Sequence, residues 1–325
     1  MLSSATRLAQ MLFVLWIVAT ILFFLFRLMP GDPTVAYIDT NFTEEQVQQL
    51  KKSFGLDRPL REQYVIYLGN LVRGEFGDSF HHRQPVLKLL LGVLPNTIIL
   101  TLTSLIVAYV FGTLVGAWLA WKRGSTAEGI AIPTVLTLRA APEFWLGMVL
   151  LAIFGFKLGW FPSGGANSAG ANFPSEWSRI FSRDFIWHLT LPALTLALYL
   201  QGLPLLLMRS NMLDVMSEDF ITMARMKGLS NRAIVLRHAA RNALLPVATA
   251  FALGFGASIG GNVVVETVFS WPGLGKLLVN AVASSDYPVA QGAFFIITVV
   301  LVTMNFCADM LYSFLDPRVS HGRRG

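Results

Sequence analysis

The chain has 325 residues, 54% of them hydrophobic and only 14% charged, with a mean hydropathy of +0.58. Soluble chains average about 25% charged residues, so a water-facing globule is excluded, and disordered, collagen-like and coiled-coil chains fail on composition as well. A single cysteine leaves no disulfide framework or multi-cysteine metal site, and the net charge of +6 needs no nucleic acid where basic residues gather in cytoplasmic loops.

A spanning helix needs about 20 predominantly apolar residues. The first such stretch runs from Leu8 to Phe26, between Arg7 and Arg27. It exceeds the apolar core of a signal peptide and no small-residue cleavage site follows, so it is read as a retained helix. Five more apolar stretches follow, at about 96–121, 130–156, 186–208, 243–266 and 289–314. The expected fold is an all-α integral membrane protein with six spanning helices.

Basic residues orient it. Lys122 and Arg123 lie in the connection after the second span. Arg209, Arg225, Lys227, Arg232, Arg237 and Arg241 lie between the fourth and fifth, and Arg318, Arg323 and Arg324 in the tail. The opposite short loops hold only Lys157, Arg179, Arg183 and Lys276. Both termini are therefore expected in the cytoplasm. The long loop from Pro30 to about Pro95 carries seven basic and eight acidic residues, and loops of that length cross regardless of charge.

That loop reads as structured. Thr43 and Gln46 form a capping box, Val47, Leu50 and Phe54 keep helical spacing, and Gly55 offers a stop. A second short helix is expected to start at Pro59, with Leu60, Tyr64, Tyr67, Leu68 and Leu71 on one face, before a turn at GEFGDSF. These helices either pack on the helix bundle, lie on the outer membrane surface or cap the mouth of a transporter. Ser163–Asp184, rich in Gly, Ser and Asn, reads as an outer loop. The expected division is an N-terminal helix over 1–29, an outer loop over 30–93, a membrane core over 94–316 with a cytoplasmic loop at 210–243, and a tail at 317–325.

The most informative segment is Met212–Leu245. It is too polar to span and too regular for a plain connector. Ser217 or Asp219 can cap a helix through Ala224, and Gly228 ends it as a left-handed stop. Ser230 or Asn231 caps a second helix reaching Asn242. The result is a helix–turn–helix knob projecting into the cytoplasm. Short residues Ala224 and Gly228 let another protein approach, and Lys227, Arg237 and Arg241 ring the contact.

EDFITMARMKGLS followed by LRHAARNALLP resembles the cytoplasmic loop of binding-protein-dependent ABC importer permeases, and more narrowly the dipeptide/oligopeptide permease family. FRLMPGDP, FGLDRPLREQY, GEFGDS, LPNTIILT, VVVETVFSWPGLGKLL, DYPVAQG and DMLYSFLDPR agree with that family in order along nearly the whole chain. Met223 and Met226 interrupt the small-residue pattern of the coupling helix. Ser285 stands before Asp286 where the family often has Arg, and Ala140-Ala141 replaces a Ser-containing pair. The resemblance implies a type I ABC importer permease fold in a bacterial inner membrane. It further implies a second homologous permease as a heterodimer partner, two separate ATPase subunits and an outer solute-binding protein. Glu218, Asp219, Ala224, Lys227, Gly228, Arg237 and Arg241 are then the expected ATPase-coupling residues. No G-x-x-x-x-G-K-[S/T] loop is present, so ATP and Mg are expected on the partners and no cofactor on this chain.

Other residues stand out singly. Arg139 and Glu143 lie in the third span, four residues apart and hence on one helix face, with Pro142 interrupting the helix beside them; counting from residue 130 puts them roughly 13–20 Å deep. They are read as lining the translocation path, against a pair that only holds helices together. Glu266 and Asp309 are further intramembrane carboxylates assigned to the path, Asp309 alternatively to Arg209 or backbone. Trp271, Pro272 and Gly273 are expected to form an outer gate turn before a short helix at Leu274–Val282, or a membrane-interface anchor. Gly112–Gly116 and Gly256–Gly260 have the spacing of close helix approach, for internal packing or a subunit interface. His81-His82 is read as a solvated pair rather than a metal site. No nucleophile–base arrangement is legible, so the chain is expected to be a non-enzymatic permease subunit, with an ion-driven secondary transporter as the alternative.

Overall fold

The computed structural model describes residues 4–28, 58–259 and 262–315, the side chains of 4–5, 28, 255–257, 259, 308–309 and 311–315 excepted. The expected helix at 43–54, the tail from 316, the Gly256–Gly260 spacing and the side chain of Asp309 lie outside the described residues. Every regular element among those described is helical.

In chain order these are α1 (Ser4–Leu28), α2 (Leu60–Arg73), α3 (Val86–Trp121), α4 (Thr126–Ala140) and α5 (Glu143–Leu150), which runs on in π turns over Leu151–Lys157. There follow α6 (Glu176–Ile180), α7 (Arg183–Leu200), α8 (Gly202–Met216) and α9 (Asp219–Met226). Asn231–Ala233 leads through π turns at Ile234–Ala239 into α10 (Ala240–Ile259), and α11 (Val263–Val268), α12 (Leu274–Ala283) and α13 (Tyr287–Leu315) complete the chain.

Among the described residues, three helical stretches are long and apolar enough to cross a bilayer: Thr6–Arg27, Val86–Trp121 and Tyr287–Cys307. Two bent pairs, α4 with α5 and α7 with α8, bring the number to five by length and composition. The stretch expected at 243–266 falls on α10 and α11, which are separate elements. One boundary differs from the sequence reading: Pro95, expected at the end of the outer loop, lies inside α3, as Pro246 lies inside α10, because neighbouring helices and side chains compensate a freed carbonyl in a spanning bundle.

The chain divides into two compact units, residues 1–97 with 272–306, and 98–271 with 307–325. In the first, Val86 and Leu90 of α3 pack with Leu274, Leu278, Val289, Ala290 and Ala293. Asp286, 1% exposed, fastens the turn before α3: it accepts from the Ser79 hydroxyl at 2.5 Å and the His81 backbone N–H at 3.1 Å. His81 and His82 are exposed above it, held by their backbone rather than their rings.

In the second unit, α3 and α8 approach closely at Gly112 and Gly116. A Cβ on Gly112 would lie 2.8 Å from the Gln201 carbonyl, and one on Gly116 would run into the Leu205 carbonyl. This glycine spacing serves internal packing. One core of this unit gathers Met208, Met212, Ile221, Ala224, Ile234 and Val235. Another gathers Leu100, Phe185, Leu189, Val265, Phe269 and Trp271.

Candidate functional site: a helical hairpin and two broken spans

The knob is built much as its sequence dictates. Glu218, rather than Ser217 or Asp219, is the N-cap residue of α9, with extended backbone and no capping bond from its side chain, and Asp219 in the first turn and Arg225 in the last suit the helix dipole. Gly228 has φ +75°; its N–H bonds the Arg225 carbonyl at 2.9 Å, and the Leu229 N–H bonds that of Ala224 at 3.3 Å, a left-handed stop. The Ser230 hydroxyl accepts the Ala233 N–H and starts the return helix.

The two faces of α9 differ from expectation at one residue. Ala224 is 7% exposed and packs with Ile221 against Ile234 and Val235. It is therefore an inward residue joining the hairpin's arms rather than a surface for a partner. Glu218, Asp219, Lys227, Gly228, Arg237 and Arg241 are all exposed. Among them stand large apolar side chains: Met223 at 57% exposure, Met226 at 82%, with Phe220 and Leu229. Adaptable thioethers suit a surface that must fit another protein. The return arm passes through the π turns at Ile234–Ala239 before entering α10.

Both bent pairs belong to the second unit. Between α4 and α5 the chain turns by 105° at Ala141–Pro142, because Ala141 is extended (φ −67°, ψ 139°), as residues before proline prefer. Between α7 and α8 it bends by 44° at Gln201. Irregular backbone at membrane depth persists only where it is buried in protein or lines a cavity.

The break overturns one expectation. Arg139 closes α4 and Glu143 opens α5, so the pair does not share a helix face. No ion pair joins Arg139 to any described residue; its side chain is exposed and lies along Gly202, whose added Cβ would sit 3.1 Å from Arg139 Cδ. Each charge suits its helix end, the cation at a C-terminus and the carboxylate at an N-terminus. Glu143 Oε1 is buried without a hydrogen-bond partner, and so is Oε1 of Gln201, which is 4% exposed. Each of the two breaks thus carries a side-chain oxygen with no donor among the described residues.

Arg209 is committed elsewhere than to Asp309. Its Nε donates to Glu128 Oε1 at 2.6 Å, with a second guanidinium nitrogen against the same oxygen, and the Gly124 N–H donates to Oε2 at 2.6 Å. Glu128 was not singled out from the sequence. Its signal was there: Ser125 and Glu128 carry the spacing of a capping box, and Ser125 caps α4. Gln201 gave no such signal.

At the other end of this unit, Glu266 and Trp271 are fully buried, and the Trp271 N–H bonds the Glu266 carbonyl at 2.8 Å. Trp271 packs on Phe185 at 5.4 Å, and Gly165 N–H bonds the Phe269 carbonyl at 3.0 Å. These rings are core, which removes the membrane-anchor reading. Pro272 and Gly273 lead into α12, where the Leu274 N–H bonds Thr97 Oγ1 and Asn96 donates to the Pro272 carbonyl, both at 2.8 Å.

Among the described residues the chain is helical, with apolar helices, two bent pairs and a charged, methionine-bearing hairpin, an arrangement that suits a membrane component of a transport system. The comparisons name the system. Residues 112–321 match the family described as "Binding-protein-dependent transport system inner membrane component", and residues 4–101 match its N-terminal companion. The "Oligopeptide transport system permease protein AppB" of Bacillus subtilis (strain 168) is 39% identical over 92% of this chain and 93% of its own. The "Di/tripeptide transport system permease protein DppB" of Pseudomonas aeruginosa (strain UCBPP-PA14) is 35% identical over 98% of each. The "Glutathione transport system permease protein GsiC" of Escherichia coli (strain K12) is 34% identical over 97% of each. A solved structure titled "Crystal structure of an amino acid ABC transporter with histidines" matches with a TM-score of 0.49 at 15% identity, over 71% of this chain and 94% of that one. The chain belongs to the binding-protein-dependent transport system inner membrane component family, and is a permease subunit of an ABC importer, not an enzyme in its own right.

Proposed function

We propose that this permease forms the path by which a bacterial inner membrane takes up di- or oligopeptides, or a solute of similar size such as glutathione. One observation carries the substrate class: relatives matched over more than nine-tenths of this chain are named for oligopeptides, di- and tripeptides, and the tripeptide glutathione. In this reading the chain works beside a second, related permease and two ATPase subunits that bind the ATP and Mg. A separate solute-binding protein delivers the cargo.

The α9 hairpin is the surface the ATPase subunit grips. Met223, Met226 and Phe220 supply the apolar contact, with Glu218, Asp219 and Lys227 around them. ATP binding draws two such hairpins together, and because Ile221 and Ala224 of α9 share a core with Met208 and Met212 of α8 and with Ile234 and Val235 of the return arm, the movement is passed to the spans. The bundle then alternates between two arrangements. In the path, Arg139 and Glu143 present opposite charges from the two sides of one helix break, which suits a solute carrying both an ammonium and a carboxylate.

Gly228→Val tests the coupling. No atom stands within 4 Å of a Cβ at Gly228, so the whole effect is the left-handed backbone, which costs a non-glycine residue about 1–2 kcal/mol. The variant is expected in the membrane at near-normal amount, with ATPase subunits no longer recovered in pull-down and uptake abolished. Equal recovery with undiminished uptake overturns the coupling assignment. For orientation, a reporter fused after Gly325 is expected to be active only in the cytoplasm, and periplasmic activity overturns the topology.

A further inference from the structure

Helix α2 is apolar on two sides, and only one side is accounted for. On that side the Tyr64 hydroxyl hydrogen-bonds the Thr20 hydroxyl of α1 at 2.7 Å. The Tyr64 ring lies 5.2 Å from Phe23 and 6.2 Å from Phe24, and the Tyr67 ring 5.4 Å from Phe23. The other side carries Val65 at 64% exposure, Ile66 at 39% and Val72 at 89%. Residues 61, 65, 69 and 72 are spaced to form one stripe. Exposed Arg58 and Arg61 stand at one end of it and Arg73 at the other. Glu62, in the first turn, is placed where the helix dipole favours a carboxylate.

The depth of this stripe is set by α1, independently of its exposure. Thr20 precedes Arg27, near the end of the spanning stretch Thr6–Arg27, by seven residues, or about 10 Å of helix rise. A side chain bonded to Thr20 therefore sits well inside the apolar stretch, not above it. Val65 follows Tyr64 directly, so it is uncovered at a level where the surroundings of a spanning helix are hydrocarbon. The uncovered surface continues onto α1 itself, through Ile21, Phe24 and Leu25, which are 58%, 42% and 51% exposed.

We infer that α2 is a lipid-facing helix of the leaflet reached by the C-terminal end of α1. Val65, Ile66 and Val72 lie among acyl chains, and Arg58, Arg61 and Arg73 extend to the phosphates of the headgroups. Long basic side chains with apolar stems are suited to that boundary, and two tyrosines facing α1 fit the zone where apolar and wet surroundings meet. The inference needs only that the chain spans a membrane and holds whatever the cargo is.

Nitroxide labels report the surroundings directly. In a Cys307→Ser background, which removes the exposed native thiol, cysteines replace Val65, Val72 and, as a water reference, Glu75. The full chain, with the subunits that co-purify with it, is placed in nanodiscs of phosphatidylethanolamine and phosphatidylglycerol. Molecular oxygen, which concentrates in hydrocarbon, is expected to relax the labels at 65 and 72 about three-fold more than a water-soluble nickel chelate does, with the order reversed at 75. Stronger relaxation by nickel at 65 and 72 overturns the inference in favour of a water-facing helix. Protection from both reagents overturns it in favour of a protein cover, a partner subunit or a second copy of this chain. With Arg58→Gln and Arg61→Gln added, the oxygen-to-nickel ratio at 65 is expected to fall about two-fold as the headgroup contacts are lost; an unchanged ratio removes the phosphate contacts.

Discussion

The second unit holds two arginine–glutamate combinations that look alike on paper and behave in opposite ways. Glu128 and Arg209 are 81 residues apart in the chain, yet they meet at hydrogen-bond distance, with the Gly124 N–H completing the carboxylate's shell. Arg139 and Glu143 are four residues apart and make no ion pair. The cause is backbone continuity: helical spacing pairs side chains only while the helix lasts, and this one turns by 105° between them. A charge in a membrane protein is costly and is usually paired or turned toward a cavity. The first combination takes the first course and clamps the start of α4 to the middle of α8. The second takes neither charge to a protein partner and leaves both at a break.

Five substitutions bear on that contrast. The largest effect is expected at the glycine spacing that sets α3 against α8. A leucine at Gly116 places carbon where the Leu205 backbone already stands, and backbone cannot yield as a flexible side chain does. Forcing α8 outward carries Arg209 away from Glu128, four residues beyond the point of contact. Gly116→Leu is expected to remove the chain from the membrane fraction in an immunoblot. Normal levels with an intact complex show that α3 and α8 do not depend on this approach.

Breaking the clamp alone is milder. Arg209→Gln leaves Glu128 with the Gly124 N–H and a charge no longer neutralised, so the melting temperature of the purified chain is expected to fall on the order of 5 °C. Glu128→Gln shifts it in the same direction. Because the two residues act on each other, the double variant loses less than the sum of the single losses. Strict additivity in that cycle disproves the pairing.

How much of this was legible beforehand follows from which interactions are local. The left-handed stop at Gly228, the Ser230 cap and the helix opening after Pro59 depend on residues within a turn or two of one another, and each appears where the sequence places it; of the six expected spans, the described residues hold five by length and composition. The orientation of Ala224 did not follow, because a small residue on a short amphipathic helix is compatible with either face until the return arm is laid against it. Trp271, read as part of an outer gate turn or an interface anchor, is a core ring, since its cover comes from Phe185, and the neighbouring Phe269 is held by the segment around Gly165, about a hundred residues upstream. The proline at 142 was noted as an interruption, yet its consequence for Arg139 and Glu143 depends on the turn angle, which composition does not carry. The partner of Arg209 was the least accessible of all: 81 residues separate it from Glu128, and several carboxylates were equally eligible.

The smallest structural effect, and the sharpest test of the contrast, is expected at Glu143. Glu143→Gln keeps the shape of the side chain and breaks no ion pair, since none is made; it removes only the negative charge. If that carboxylate meets a cationic group of the passing solute, the variant should assemble at wild-type levels, with a melting temperature unchanged within about 2 °C, and ATPase activity should still respond to the binding protein. Uptake alone should drop, on the order of ten-fold, the scale set by a lost charge-assisted hydrogen bond in a desolvated site. Arg139→Gln provides the companion measurement. Its guanidinium is exposed and lies along Gly202 without an ion-pair partner, so its loss should also spare assembly and reduce uptake, most for solutes carrying a free carboxylate. Wild-type uptake in both variants would mean that the break at Ala141–Pro142 shapes the bundle without touching the cargo, and a loss of melting temperature as large as that from Arg209→Gln would place the two combinations in the same structural role after all.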